Sequence, residues 1–429
     1  MKKKYRIILY TSIFLLCVVA SIILVVKKSN SVYEEESKPK VVKHKSMLSM
    51  NLEQTAGSGD YKTVTQSSWP TEGYKFNAEL SRCENGSTLS WDDTKKAVIV
   101  SGNLSDKCYV YFDIYQPTLA EYIKSQYTGT QGENSIYYHN SSLENGAGDN
   151  SYRYAGANPN NFVCFGSDAS PCPIDNLYRI IGVFGENYHG ANGKQLVKLI
   201  KYDYMTTDEL GTDGDYSQTY KEWGMDSTYK GTYGDGERIG VYYWNYKATG
   251  SATNTWSTSL LNKTNLNTNF INNIGTTWAN KIATVTWKVG GNTWANIGTK
   301  TSSVAYTNEI TNPVTTNTTD NATTYSAKIG LMYVSDYGFA ASPDAWTLTM
   351  SSYNNTTATN NNWMYMGLYE WTISRHADHS DYAFVVNHVG YVHYNYVDRD
   401  YGVRASFNLE SSVSYVSGSG SMSDPIVIN

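Results

Sequence analysis

Four of the chain's seven histidines fall within residues 374–401, next to aspartates that could share a metal ion or relay a proton. Of the 28 residues in this stretch, fifteen are Asn, Asp, His or Tyr: His376, Asp378, His379, Asp381, Tyr382, Asn387, His388, Tyr391, His393, Tyr394, Asn395, Tyr396, Asp398, Asp400 and Tyr401. The spacing His376-x-x-His379, with Asp378, Asp381, His388 and His393 close by, offers metal-ligand chemistry. No helix is expected there to bring His376 and His379 onto one face, so no metal is assigned. Nucleophilic chemistry has less footing still: there is no Gly-x-Ser-x-Gly elbow, and no carboxylate pair stands apart from the many loop acids. The four residue types do suit recognition. Tyr supplies rigid amphipathic contact area, while Asn, Asp and His supply adaptable hydrogen bonds. Ligand binding through these fifteen residues is therefore expected, with no catalytic residue and no cofactor. Phe384, Val386, Val389, Val392 and Val397, interleaved with them, are expected to form the inner face that holds the display. The competing reading is an ordinary solvated surface.

Of five cysteines, Cys17 lies in an apolar run and reads as a buried membrane residue. Cys83, Cys108, Cys164 and Cys172 read as two disulfides, and proximity favours Cys83 with Cys108 and Cys164 with Cys172 over the two crossed pairings. Without a Cys-x-x-Cys pair, a zinc ribbon or a thioredoxin-type site is disfavoured.

These residues belong to a chain of 429, of which 17% are charged, 14% are aromatic and 38 are Tyr. So many rings with so little charge exclude charge-driven disorder. The first 28 residues carry six cations and no acid, which leaves the remainder clearly acidic and disfavours a nucleic-acid partner. Residues 7–26 are uncharged over a length that suits a bilayer-spanning helix, and four cations precede them. A retained single-pass anchor is expected, with a stub at 1–6 inside and the rest outside; a cleaved signal peptide is the alternative.

Residues 27–60, polar and mixed in charge, read as a stalk, and residues 61–116 as a small all-β module. The module shows strand-like bursts at 74–76, 88–91, 97–100 and 109–112, separated by Gly and Asn-Gly turns. Pro117 opens a short helix over 118–126. Beyond it, strands are expected at 178–184, 196–200 and 329–334, an amphipathic helix around Leu260, Leu261, Phe270, Ile271 and Ile274, and a weaker one at 278–282. The intervening Thr/Asn/Ser/Gly stretches at 248–255, 311–324 and 351–362 read as exposed loops. Few strands, two helices and long loops pinned by tryptophan make the domain at 117–429 α+β.

The stretch Trp371-Thr372-Ile373-Ser374-Arg375, then Ala383-Phe384-Val385-Val386, Gly390, Val392, Val397 and the closing Gly402-Val403-Arg404-Ala405-Ser406-Phe407-Asn408-Leu409 resembles a known family end. It is similar to bacterial C-type-lectin-like domains of the formylglycine-generating-enzyme type, departing at Ala405, where that family usually has Pro. The resemblance covers about residues 136–429. It implies a C-type-lectin-like fold, but the enzyme's cysteine pair has no counterpart, since no cysteine follows Cys172. Calcium-dependent sugar binding also lacks its motifs: Glu-Pro-Asn, Gln-Pro-Asp and Trp-Asn-Asp are absent, and Asp213-Gly214-Asp215 and Asp235-Gly236-Glu237 read as solvated turns. Asn, Asp, His and Tyr are the residues reached by varying the first base of an Asn codon. The band in this way resembles the variable face of surface proteins targeted by diversity-generating retroelements. A bacterial cell-surface, adhesin-like protein that binds a protein or glycan ligand is the resulting expectation. An enzyme of altered chemistry and a structural surface subunit are the alternatives.

Overall fold

In the computed structural model the described residues are 48–429, except 66–67, 71–72, 104, 186–188, 192, 224–226, 235, 313–322 and 355–358. The expected stub and anchor, and the stalk up to residue 47, lie outside them. Among the described residues no helix is long and apolar enough to cross a membrane. The chain divides into two compact units, one ending at Gln116 and the other beginning at Pro117.

The first unit contains β1 (Leu48–Glu53), β2 (Tyr61–Val64), β3 (Tyr74–Phe76), β4 (Arg82–Cys83), β5 (Thr88–Asp92), β6 (Ala97–Ser101) and β7 (Cys108–Ile114). Strand β1 lies within the segment expected to be stalk. It is a strand because it pairs on both sides, antiparallel with β2 and parallel with β7, and buries Met50 and Leu52. Phe112 on β7 sits among Trp69, Phe76 and Trp91 with ring centroids 5.6–5.9 Å apart, an aromatic core for a unit too small to build a deep one. Cys83 and Cys108 pair directly across β4 and β7 and are bonded to each other.

The second unit opens with α1 (Leu119–Ser125), capped as its sequence indicates: the Thr118 hydroxyl accepts from the Glu121 N–H while the Glu121 carboxylate accepts from the Thr118 N–H. Its strands are β8 (Ile136–Tyr138), β9 (Tyr152–Tyr154), β10 (Phe162–Cys164), β11 (Leu177–Gly185), β12 (Gln195–Lys201), β13 (Tyr216–Thr219), β14 (Gly240–Tyr243), β15 (Val285–Lys288), β16 (Gly291–Asn292), β17 (Thr324–Ala327), β18 (Ile329–Gly330), β19 (Glu370–His376), β20 (Tyr382–Val386), β21 (Val392–Tyr396), β22 (Asp400–Gly402) and β23 (Ser406–Asn408). Two seven-stranded sheets result. One runs β18-β23-β12-β11-β9-β8 with β10 on β11; the other runs β13-β14-β22-β19-β20-β21 with β16 on β19. One contiguous apolar core draws on both, through Tyr178, Ile180, Leu199 and Phe407 from the first and Trp371, Ile373 and Val385 from the second.

Mostly sheet with few helices, the unit is α+β. The expected amphipathic helix is a π-helical stretch at Leu261–Phe270 running into α2 (Ile271–Ala279), broken at Gly275. The strand expected over 329–334 is realised only at β18, because α3 (Val334–Ala340) starts at Val334. Buried indoles hold remote segments together: Nε1 of Trp244 donates to the Thr372 carbonyl (2.9 Å), that of Trp371 to Tyr242 (2.8 Å) and that of Trp363 to Tyr154 (2.9 Å). Cys164 and Cys172 form the second disulfide.

Candidate functional site

The fifteen residues picked out by composition lie on four neighbouring strands of the second sheet, β22, β19 and the β20–β21 hairpin, and on the loops between them. Strand β19 is buried along its whole length. Hairpin register places Tyr382 opposite Tyr396, Phe384 opposite Tyr394 and Val386 opposite Val392 on one face, with Ala383 opposite Asn395 and Val385 opposite His393 on the other. Both faces of β20 are covered: Ala383 and Val385 join the main core, and Phe384, Val386 and Val392 join a second apolar cluster. Phe384, Val386, Val392 and Val397 are buried as expected, but they do not form one inner face: the first three share the face of Tyr382, Tyr394 and Tyr396, Val397 joins the main core, and Val389 is only half-buried, in the turn.

Toward the open end of the hairpin the rings emerge. Tyr382 lies 4.4 Å from Tyr396 and 5.2 Å from Tyr394, measured between centroids. His379 stands 4.8 Å from Tyr382, and His376 lies 5.1 Å from His379 and 4.8 Å from Tyr394. His393 stacks on Tyr394 at 4.8 Å and reaches Tyr391 at 6.0 Å. Trp294, which sequence reasoning did not select, closes the group at 5.3 Å from His393 and 5.5 Å from Tyr394. It arrives there because β16 pairs with β19, Asn292 opposite His376, and the Thr293 hydroxyl then accepts from the Asn296 N–H to form a tight turn. Tyr396 is 43% exposed, and Asp378, His379 and Asp398 are exposed around the rings.

A second residue outside the band sets the loop between β19 and β20. The Asn254 side-chain amide donates to the carbonyls of His376 (2.7 Å), His379 (2.8 Å) and Tyr382 (2.8 Å). One asparagine thus fixes both ends of the loop carrying His379. Gly390 does the same for the hairpin turn: its φ of +102° is open to glycine, and a Cβ there would meet the Tyr353 carbonyl oxygen at 2.9 Å.

Protonation at the site is settled by burial and partners. Burial, reinforced by neighbouring His379, lowers the pKa of His376 to about 4, and its Nδ1 accepts from the Asp378 N–H at 3.2 Å. It is therefore a neutral imidazole with its proton on Nε2. His393 Nδ1 lies 2.7 Å from the Tyr394 carbonyl, which can only accept, so that nitrogen carries the proton. The Tyr382 phenol is pushed up to about 12, chiefly by its hydrogen bond with Tyr396.

The structure separates the remaining band residues from this platform. His376 is 2% exposed, Asn387 3% and Tyr401 5%, so none of the three is presented on the surface. Asn387 builds the turn, its Oδ1 accepting from the Val389 N–H at 2.9 Å. Tyr401 lies stacked on Tyr369 at 4.9 Å and its hydroxyl accepts from the Asn395 amide at 2.6 Å, which makes Asn395 a supporting residue as well. The Asp400 carboxylate accepts from Ser217 (2.7 Å) and Gln218 (3.3 Å) on β13. His388 packs on Tyr369, away from the platform rings. Asp213, expected in a solvated turn, is exposed and accepts from Asn269, whereas Asp215 of the same turn is buried and its carboxylate accepts from the N–H groups of Tyr246 and Leu261. Among the described residues no three His, Cys, Asp or Glu side chains converge as a metal site.

What the arrangement offers chemically is a partly exposed shelf of neutral rings with acids and a histidine at its rim, on a backbone held from beneath. Comparison of the chain with protein-family models, with curated proteins and with solved structures gives no match.

Proposed function

We propose that the protein is a non-catalytic ligand-binding protein of a bacterial cell surface, held by an N-terminal membrane anchor, with the second unit as a C-type-lectin-like recognition domain. The observation that carries this reading is the aromatic shelf: Trp294, His379, Tyr382, Tyr391, His393, Tyr394 and Tyr396 form one connected set of rings, partly open to solvent, around a hairpin whose Ala383, Phe384, Val385, Val386 and Val392 are core. Contiguous exposed aromatics mark interaction sites far more often than scattered ones do. A rigid support lowers the entropy that a ligand must overcome on binding. The ligand is a protein or glycan surface, with flat ring faces for apolar contact and Asp378, Asp381 and His379 for hydrogen bonds.

The test is a comparison of the purified chain with its Tyr382→Ser/Tyr394→Ser/Tyr396→Ser variant on glycan and protein arrays. A ligand captured by the parent and lost by a variant with an unchanged unfolding midpoint supports the reading. Capture that is identical for both proteins refutes it.

A further inference from the structure

Lys198 and Asp336 meet in the interior of the second unit, away from the hairpin. Lys198 lies on β12 between β11 and β23, and is 2% exposed; Asp336 is the third residue of α3 and equally buried. Asp336 Oδ2 accepts from Lys198 Nζ at 2.5 Å and from the Tyr333 N–H at 3.0 Å. Three rings surround the amine: Tyr333 at 4.5 Å, Trp287 at 5.2 Å and Phe184 at 6.0 Å from Nζ. Burial pulls the pKa of Lys198 down despite its carboxylate partner, which favours the neutral amine; at Asp336, burial pushes the other way but is outweighed by Lys198 and Arg153, which hold its carboxyl below the usual range.

A buried ion pair would account for that much. Two neighbouring groups also bear on the pair. Arg153, itself 1% exposed, uses Nε and Nη2 on Ser151 (2.8 Å) and Asp149 (2.7 Å), but its Nη1 has no hydrogen-bond partner and lies 3.9 Å from the second Asp336 oxygen, Oδ1. That nitrogen therefore stands at ion-pair distance from the Asp336 carboxyl, in position to face any charge that builds up on Oδ1. The buried Glu309 carboxylate accepts from the N–H groups of Val334 (3.0 Å) and Ser335 (2.8 Å), fixing the first turn of α3 and with it Asp336.

We propose that Lys198 and Asp336 condense into an intramolecular isopeptide bond, a covalent link between strand β12 and helix α3. A proton first passes from Nζ to Oδ2 along their hydrogen bond, leaving a neutral amine and a neutral carboxylic acid. The Nζ lone pair then attacks Cγ, and the negative charge that forms on Oδ1 faces Arg153 Nη1. A second proton moves from Nζ to Oδ2, the Cγ–Oδ2 bond breaks, and Oδ2 departs as water. Amide and water account for every atom, and no oxidant or reductant is needed. Enclosure supplies the proximity that makes an otherwise slow condensation proceed without an enzyme.

The purified full chain, with both disulfides reduced and alkylated, is measured as an intact mass and then digested. The expected mass is one water below that of the alkylated sequence, with a branched peptide joining the Lys198 and Asp336 segments. Lys198→Met is expected to abolish both signs. A wild-type chain at its full sequence mass, with the Lys198 peptide linear, overturns the proposal; so does a loss of water without the branched peptide. Should Lys198→Met fail to fold, the wild-type digest alone decides.

Discussion

Tyr382 and Tyr396 face each other across the hairpin at 4.4 Å, one ring edge-on to the other, so an exposed ring of the shelf rests on one that the sheet already holds. Removing the outer ring should therefore affect binding more than folding. Tyr396→Ala is expected to cost about 0.5–1 kcal/mol or less of stability, in the range of exposed substitutions. Tyr401→Ala, which takes away a buried ring stacked on Tyr369, should cost about 3–5 kcal/mol. Urea unfolding of the two variants measures the contrast, and equal costs would remove the distinction between displayed and supporting tyrosines.

Glu370 and Arg404 form a buried two-point pair, Nε to Oε1 at 2.8 Å and Nη2 to Oε2 at 2.9 Å, with Nη2 also donating to the Met364 carbonyl. Arg404→Ala leaves a buried carboxylate uncompensated and should destabilise the second unit by about 3–5 kcal/mol. The double variant Glu370→Leu/Arg404→Leu should lose clearly less than the sum of the single ones. A double-mutant cycle in urea reads this coupling directly.

His376 makes folding sensitive to acid. Its folded pKa, about 4, lies below the ordinary value of 6.5, so between these pH values the unfolded chain binds a proton that the folded chain does not. The contribution is complete above pH 6.5 and is lost as pH falls toward 4, up to about 3 kcal/mol. Burial also lowers the pKa of His139 and His189, adding to the same trend. Comparing unfolding free energies at neutral and mildly acidic pH, His376→Gln should show a shallower decline than the parent. Parallel declines would exclude His376 as a source.

The two disulfides close loops of different length, with sequence separations of 25 and 8 residues. Loop-closure entropy predicts that removing Cys83–Cys108 costs about 3.5 kcal/mol and Cys164–Cys172 about 2.5 kcal/mol. The first loss falls on the smaller unit, whose core centres on Phe112. In calorimetry, Cys83→Ser/Cys108→Ser should lower the melting of that unit and leave the larger one in place. A shift of both units together would contradict the division at Gln116.

Much of the framework was legible in the residues. The alternating bursts at 74–76, 88–91, 97–100 and 109–112 all fall on strands, as do 178–184 and 196–200, and Thr118 with Glu121 announced α1. Strand β1 carried a signal that reading the segment as stalk passed over: Leu48, Met50 and Leu52 alternate with Ser49, Asn51 and Glu53, and its pairing with β2 and β7 buries Met50 and Leu52. The segment 329–334 looked like a strand through its apolar content, but the Asp336 and Glu309 carboxylates accept the N–H groups of residues 333–335 and start a helix instead. At the candidate site, composition located the hairpin but not the division within it. Alternation separates two faces only where one of them meets water, and β20 is covered on both. Trp294 and Asn254 come from distant parts of the chain and join the site through sheet pairing and a side-chain amide, neither of which local composition encodes.

The parallel pairing of β1 with β7 has a mechanical consequence. Tension applied between the chain before Leu48 and the chain after Ile114 pulls these strands at opposite ends. The five rungs from Leu48 opposite Cys108 to Leu52 opposite Phe112 are then loaded together in shear, where antiparallel neighbours pulled from one end would unzip one rung at a time. The smaller unit, thin as its core is, has the geometry of a force-bearing link.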